Sequence, residues 1–285
     1  MKTLDIPVPG GTLRALRFGD GPKVILAAHG ITASAMSFSA VARHLPESFQ
    51  LVAVDLRGRG GSADQPGPYG MDTHAGDLNA VAEHLGAPVV LTGQSMGAYA
   101  ALRAAAARPE LYSRLVLIDG GLPLPVPAGV DPDAIVAATV GPAVARLSET
   151  YPSEDAYLEF FRAHPALGPD WNEDMAAYVR YDVSEVGDGA VRSRVNPAAV
   201  TADGRDLVVG SEAIQRDIAT LTVPTTLLYA PKGMLGAAPG LLPQALVDHW
   251  AAQGTFTARL VEDTNHYTIL MTPGPAAVIA ETLTA

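Results

Sequence analysis

Gly93-Gln94-Ser95-Met96-Gly97 sets a serine between two glycines. The residues before it, Val89-Val90-Leu91-Thr92, are a short apolar run rich in β-branched side chains, and an Ala-rich helical pattern begins at Ala98. A strand that turns into a helix through such a sequence holds its serine in a strained backbone conformation, with the hydroxyl clear of the sheet. Side chains at 93 and 97 would collide where strand, turn and helix meet, which is the steric reason for glycine there. A Gly/Ser turn of this length also recurs by chance. The strand before and the helix after select the nucleophile reading for Ser95.

A serine hydroxyl needs a base within hydrogen-bond reach, and the base needs an orienting group. Of the seven histidines, His44, His84 and His249 fall inside predicted helices beside polar neighbours, which suits surface positions. His74 stands near a helix start, His29 ends a strand, and His164 lies in a later helical region. His266, in Glu262-Asp263-Thr264-Asn265-His266-Tyr267, follows the last predicted strand in a polar loop. In a parallel sheet that loop opens on the same edge as Ser95, so His266 is the expected general base.

The elements that must position these groups alternate. Thr3–Val8 and Thr12–Phe18 read as a hairpin around Pro9-Gly10-Gly11, followed by buried strands at 24–28, 51–54, 88–92 and 114–118. Helices are predicted over 34–45, 72–85 and from the elbow to about Arg108. This order implies a doubly wound, mostly parallel α/β sheet with its reactive loops at the carboxyl ends of the strands. The alternation stops after Gly121. Pro123, Pro125, Pro127 and Pro132 make a stiff exit, and helices near 133–151, 153–164 and 172–186 follow without buried strands. It resumes with a helix at 211–221, a strand at 222–229, a helix at 242–253, a strand at 256–261 and a last helix from Pro275. The expected organisation is a first core part over 1–120, an all-helical cap (lid) over 121–210, and a second core part over 211–285.

These residues resemble the α/β-hydrolase superfamily. His29-Gly30-Ile31-Thr32 is similar to its oxyanion-loop signature, and Asp55-Leu56-Arg57-Gly58-Arg59-Gly60-Gly61-Ser62 to its Asp-X-Arg-Gly-X-Gly-X-Ser loop. Gly93–Gly97 matches the nucleophile elbow, and Asn265-His266-Tyr267 resembles the histidine loop, all in the family's order. The resemblance implies backbone donors for an oxyanion at Ile31 and Met96, with His29 and Gly30 shaping the loop. Asp55 and Arg57 are then loop anchors. In most members the acid follows the strand that here reads Thr225–Tyr229, yet Ala230-Pro231-Lys232-Gly233-Met234-Leu235-Gly236 has no carboxylate. A minority places the acid one strand after the nucleophile, which is Asp119 here. Asp263 is a second candidate, and a Ser–His dyad with a water is a third. Relatives that dehalogenate alkanes or open epoxides carry aspartate at the elbow, so Ser95 argues against those activities.

Composition narrows the partners. The formal charge of −11 leaves no basic surplus for nucleic acid, and no run approaches the roughly 18 apolar residues of a membrane span. Cysteine is absent, which removes disulfides and thiolate metal sites. Phosphate-loop, dinucleotide and His-X-X-X-His patterns are missing, so neither metal nor cofactor is expected. The N-terminus lacks an apolar signal region, and a cytoplasmic protein is expected. The cap carries seven of the seventeen aromatic residues. Phe160, Phe161, Trp171, Tyr178 and Tyr181 are the candidates to line a moderately hydrophobic pocket, with His164 and Arg180 as polar groups that could orient a substrate. The expected activity is that of a serine esterase or lactonase acting on a small to medium substrate through an acyl-enzyme. A C–C bond hydrolase or haloperoxidase-like perhydrolase would use the same residues, and a ligand-binding receptor or scaffold would keep the fold with little turnover. Oligomeric state is left open.

Overall fold

A computed structural model of the chain describes residues 1–124, 129–139 and 141–285; Pro125 and Pro127 of the expected exit lie outside them. The core strands are β1 (Lys2–Val8), β2 (Gly11–Phe18), β3 (Lys23–Ala28), β4 (Phe49–Val54), β5 (Val89–Gln94) and β6 (Tyr112–Ile118). Between and after them run α1 (Ser39–Arg43), α2 (Met71–His84) and α3 (Met96–Ala107). The chain then forms α4 (Pro132–Thr139), α5 (Gly141–Leu147), α6 (Glu154–Arg162) and α7 (Glu173–Asp182), the strands β7 (Val183–Gly187) and β8 (Ala190–Ser193), and α8 (Pro197–Val209). It closes with α9 (Ser211–Thr220), β9 (Thr225–Tyr229), α10 (Gln244–Ala251), β10 (Thr257–Leu260), α11 (Thr268–Met271) and α12 (Pro273–Thr284).

Eight strands form one sheet in the order β1-β2-β4-β3-β5-β6-β9-β10. The β1/β2 and β2/β4 pairs are antiparallel and the rest parallel, so the doubly wound, mostly parallel architecture expected from the alternation is present. Side chains one residue apart on a strand point to opposite faces. On β3, Leu26 and Ala28 join the layer containing α2, α3 and α9, whereas Ile25 and Ala27 join the layer of α1, α11 and α12. Burial on both sides explains why these strands read as unbroken apolar runs. Strand order reverses between β3 and β5, and a doubly wound sheet opens a crevice at that switch point.

The chain leaves the sheet after β6 and re-enters at the neighbouring β9. The intervening cap is mainly helical, and one correction is needed: it also contains the antiparallel hairpin β7/β8. The predicted helix over 172–186 stops at Asp182 and becomes β7. Gly187, Asp188 and Gly189 all take positive φ in the turn, a conformation that favours glycine and tolerates aspartate. Helix α8 was not expected. It buries Ala199, Val200, Asp203 and Gly204, so it carries no stripe of large apolar residues to betray it.

Tyr157, Leu158, Val179, Val183 and Val191 make the cap's own small core. Buried Asp182 accepts hydrogen bonds there from the Tyr157 hydroxyl (2.6 Å) and the Ser193 hydroxyl (2.8 Å). Burial pushes its pKa up to about 6, against the opposing pull of those donors and of Arg146. A carboxyl near 3.9 when unfolded and higher when folded costs stability wherever it is ionised. That cost is fully present above pH 6 and is relieved as pH falls toward 4. Asp182→Asn removes the ionisation. Its stability advantage over the parent should therefore be larger at pH 8 than at pH 5, by about 1 kcal/mol in chemical denaturation; an equal difference at both pH values would contradict the assignment.

Candidate active site

The β5–α3 turn carries Ser95 at φ 54°, ψ −124°, a region that L residues rarely enter and that is held only by its surroundings. The packing explains the flanking glycines. A Cβ on Gly97 would lie 2.2 Å from the carbonyl oxygen of Ala28, and one on Gly93 would lie 2.1 Å from that of Gly97. No side chain fits either place, so the steric reason inferred for both glycines holds in three dimensions.

His266 comes from the loop between β10 and α11, and Asp119 from the end of β6. The structure brings them to Ser95. His266 Nδ1 lies 2.6 Å from Asp119 Oδ2, and Nε2 lies 3.0 Å from Ser95 Oγ. An ionised carboxylate only accepts, so Nδ1–H donates to Asp119. Nε2 is then left as the acceptor for the Ser95 hydroxyl. Asp119 is fully buried, and its other oxygen accepts from the Ala230 amide at 3.2 Å. That amide belongs to the loop after β9, from which a carboxylate is missing. A side chain at 233 would start 3.0 Å from the Pro239 carbonyl oxygen, a tight approach to which the loop would have to give way. Asp263 is exposed, and among the described residues it makes no hydrogen bond to His266.

The histidine loop is braced by two residues that the sequence did not single out. Asn265 Oδ1 accepts the amides of Tyr267 (2.9 Å) and Thr268 (3.0 Å), and its Nδ2 donates to the Ala166 carbonyl on the cap (2.8 Å). Gln94 Nε2 donates to the His266 carbonyl oxygen at 3.0 Å. Asparagine turns are legible in a sequence; the partner of a side chain 172 residues away is not.

On the opposite wall, His29 follows β3. Burial lowers its pKa to about 3, so the ring is neutral. Its Nε2 accepts the Leu56 amide at 3.0 Å, which leaves the proton on Nδ1 to be donated to the Gly30 carbonyl at 2.7 Å. That carbonyl shares a trans peptide plane with the Ile31 N–H, so fixing the one aims the other. Among the described residues, neither the Ile31 nor the Met96 amide donates to a protein acceptor. Gly30 leaves this wall room for its neighbours; a Cβ there would lie 2.8 Å from Gln94 Oε1 and 3.2 Å from Ser95 Cβ. Asp55 accepts the amides of Ala35 (2.7 Å) and Gly61 (2.8 Å), and Arg57 makes a two-pronged pair with Asp77. Both anchor their loop.

A cavity of about 60 Å³ touches Ser95 and His266 and is walled chiefly by Ile31, Tyr178, Met234, Tyr267, Leu270 and Met271. Ser37, whose hydroxyl has no hydrogen-bond partner among the described residues, also lines it. Of the five cap aromatics expected at the pocket, only Tyr178 reaches this cavity. Phe161 packs edge-on against Tyr157 in the cap core, and the partly exposed Phe160 packs against Tyr151 and Phe161. Trp171 lies under the Arg162 guanidinium, and the Tyr181 hydroxyl donates to Asp55 at 2.6 Å. A cap must bury aromatic surface against itself and against the core, and that demand takes Phe161, Trp171 and Tyr181, while Phe160 stays exposed. His164 Nδ1 accepts the Ala166 amide (3.2 Å), and Arg180 pairs with Glu154 on the surface.

The model of the alpha/beta hydrolase family matches residues 24–281. The chain belongs to the alpha/beta hydrolase family. This alpha/beta hydrolase is 37% identical over 114 residues to a lipase, LipV, of Mycobacterium tuberculosis, covering 39% of the chain and 43% of that protein. It is 39% identical over 121 residues to an N-formylmaleamate deformylase of Pseudomonas putida, covering 39% of the chain and 45% of the relative. Both matches span less than half of the relative's length. Among solved structures, an E-2-(acetamidomethylene)succinate hydrolase superposes with a TM-score of 0.80 at 22% identity over the full length of both chains, which is a likeness of fold. Among the described residues, no helix of this alpha/beta hydrolase is long and apolar enough to cross a membrane.

Proposed function

We propose that the protein is a cofactor-free serine hydrolase of small carboxylic esters or lactones, with 121–210 as its cap. Ser95 Oγ attacks the substrate carbonyl while His266 Nε2 takes its proton and Asp119 stabilises the resulting imidazolium. The oxyanion is received by the amides of Ile31 and Met96, each worth roughly 10²–10³ in rate. His266 returns the proton to the leaving alkoxide, and the acyl group stays on Ser95. Water, deprotonated by the same imidazole, then releases the acid and restores the serine.

The observation that carries this reading is the unbroken hydrogen-bonded chain from Asp119 through His266 to Ser95 at the lip of an apolar cavity. An imidazole held by a carboxylate on one nitrogen and set against a serine hydroxyl on the other is the arrangement that proton transfer needs, so the chain favours turnover over a receptor role. The small cavity and the lack of any Asp, Glu, Lys or Arg along its described wall favour a short, neutral acyl group. Ser37 offers it one hydrogen bond.

A panel of p-nitrophenyl esters, lactones, formamides and vinylogous C–C substrates tests this reading. The short esters should give the highest kcat/KM, with an initial burst wherever deacylation is slow. Hydrolysis of formamides or C–C substrates with all esters untouched would move the protein to another reaction on the same residues.

A further inference from the structure

Arg59 occupies a position that the Asp-X-Arg-Gly-X-Gly-X-Ser pattern leaves open, and the mechanism above gives it no part. Its guanidinium is nevertheless fully buried, and each of its nitrogens has a partner. Nε donates to the carbonyl oxygen of Ile31 at 3.0 Å, and Nη2 lies 3.8 Å from the sulfur of Met96. Nη1 donates to the Arg57 carbonyl at 2.9 Å and to Asp203 Oδ2 at 2.5 Å. One side chain thus touches both residues assigned as oxyanion donors, from behind. His29 fixes the peptide plane before Ile31 and Arg59 fixes the plane after it, so both ends of that residue are held.

The counter-ion comes from the cap. Asp203 lies on α8, 144 residues away in the chain, and its carboxylate is also fully buried. Besides Arg59, it accepts the Gly70 amide at 2.6 Å and the His74 ring at 3.0 and 3.1 Å. Burial alone would raise its pKa, but His74 and Arg59 together hold it below the ordinary carboxylate range. A second tether runs beside the first: the Asn196 amide donates to the Gly58 carbonyl at 2.8 Å. A buried guanidinium needs a buried partner. Here the core supplies the cation, the cap supplies the anion, and the cation's remaining donors go to the oxyanion loop.

We infer that Arg59 is a positioning residue for the oxyanion loop and that Asp203 couples it to the cap, so that seating α8 and shaping the hole are one event. This rests on the hydrolase reading for its kinetic consequence, though not for its structural one. Displacing a donor by a fraction of an ångström to an ångström costs up to about 10²-fold. The loss should fall on kcat, because the developing oxyanion gains more from these donors than the bound ester does.

The test compares wild type, Arg59→Lys and Asp203→Asn on a short p-nitrophenyl ester, with kcat expressed per serine titrated by a fluorophosphonate. Lysine keeps the charge but gathers its donors on one nitrogen, so it cannot serve Asp203 and the Ile31 carbonyl from two separate arms as Nη1 and Nε of Arg59 do. Asparagine keeps an acceptor for Gly70 and removes the counter-ion. Both variants should lose tenfold to a hundredfold in kcat per titrated site, with KM within about threefold of wild type. A purely structural role would lower the titratable fraction and the melting temperature and leave kcat per site unchanged; that result overturns the inference. Loss in Arg59→Lys without loss in Asp203→Asn overturns the coupling to the cap. Where Arg59→Lys does not fold, Asp203→Asn carries the test. Should wild type hydrolyse no ester, the hydrolase reading falls separately. Amide hydrogen exchange then decides: segment 29–34 should exchange faster in Asp203→Asn than in wild type, and unchanged protection there overturns the inference.

Discussion

Ser95→Ala should abolish ester turnover, with kcat falling by about 10⁶ while the fold is retained. Among the described residues, no other hydroxyl at the site is hydrogen-bonded to His266, so the variant has no activated nucleophile and its residual rate comes from the oxyanion donors and substrate binding. Alanine carries a Cβ as serine does and meets the same steric penalty at positive φ, so it inherits the strain at φ 54°. The one interaction removed is the 3.0 Å hydrogen bond to His266. The melting temperature should therefore change by a few degrees at most, and steady-state hydrolysis measured beside a thermal melt separates chemistry from folding. A folded variant with wild-type turnover would end the assignment of Ser95.

Asp119→Asn should cost about 10⁴ in kcat at neutral pH. Asparagine can present its amide N–H₂ to His266 Nδ1, which makes Nδ1 the acceptor and puts the ring proton on Nε2, facing Ser95. The imidazole can then no longer take the serine proton. Nearby carboxylates give no rescue, because Asp263 is exposed and the loop after β9 has none between 230 and 236. Asp263→Asn is the matched control and should retain full activity. Full activity in Asp119→Asn would move the acid elsewhere.

The elbow was legible because its constraint is local: strand, glycines, serine and helix all lie within a dozen residues, and the collisions that require Gly93 and Gly97 follow from that geometry. His266 was legible through chain order, since the loop after the last parallel strand opens on the same edge as Ser95. Asp119 emerged by resemblance and by the empty loop at 230–236, and its carboxylate sits against the amide of that loop's first residue. The hairpin at 183–193 was missed although Gly187-Asp188-Gly189 is a readable turn signal, because the helical pattern of α7 was carried through to Val186. Helix α8 was missed for a different reason: its buried side is Ala199, Val200, Asp203 and Gly204, and a face built to deliver one carboxylate to Arg59 has no apolar period to read. The pocket was misjudged in detail, since aromatic content says that a cap must bury rings and not which rings face the substrate. Tyr181 spends its hydroxyl on Asp55 and Phe161 its ring on Tyr157, contacts that only the folded chain defines.

Active-site titration with a fluorophosphonate, read by intact mass and peptide mapping, tests the central claim most directly. The account predicts one adduct per chain on the peptide containing Ser95, formed rapidly in the wild type and slowed by orders of magnitude in His266→Ala. Absence of an adduct, or an adduct on another serine with Ser95 unmodified, would contradict it.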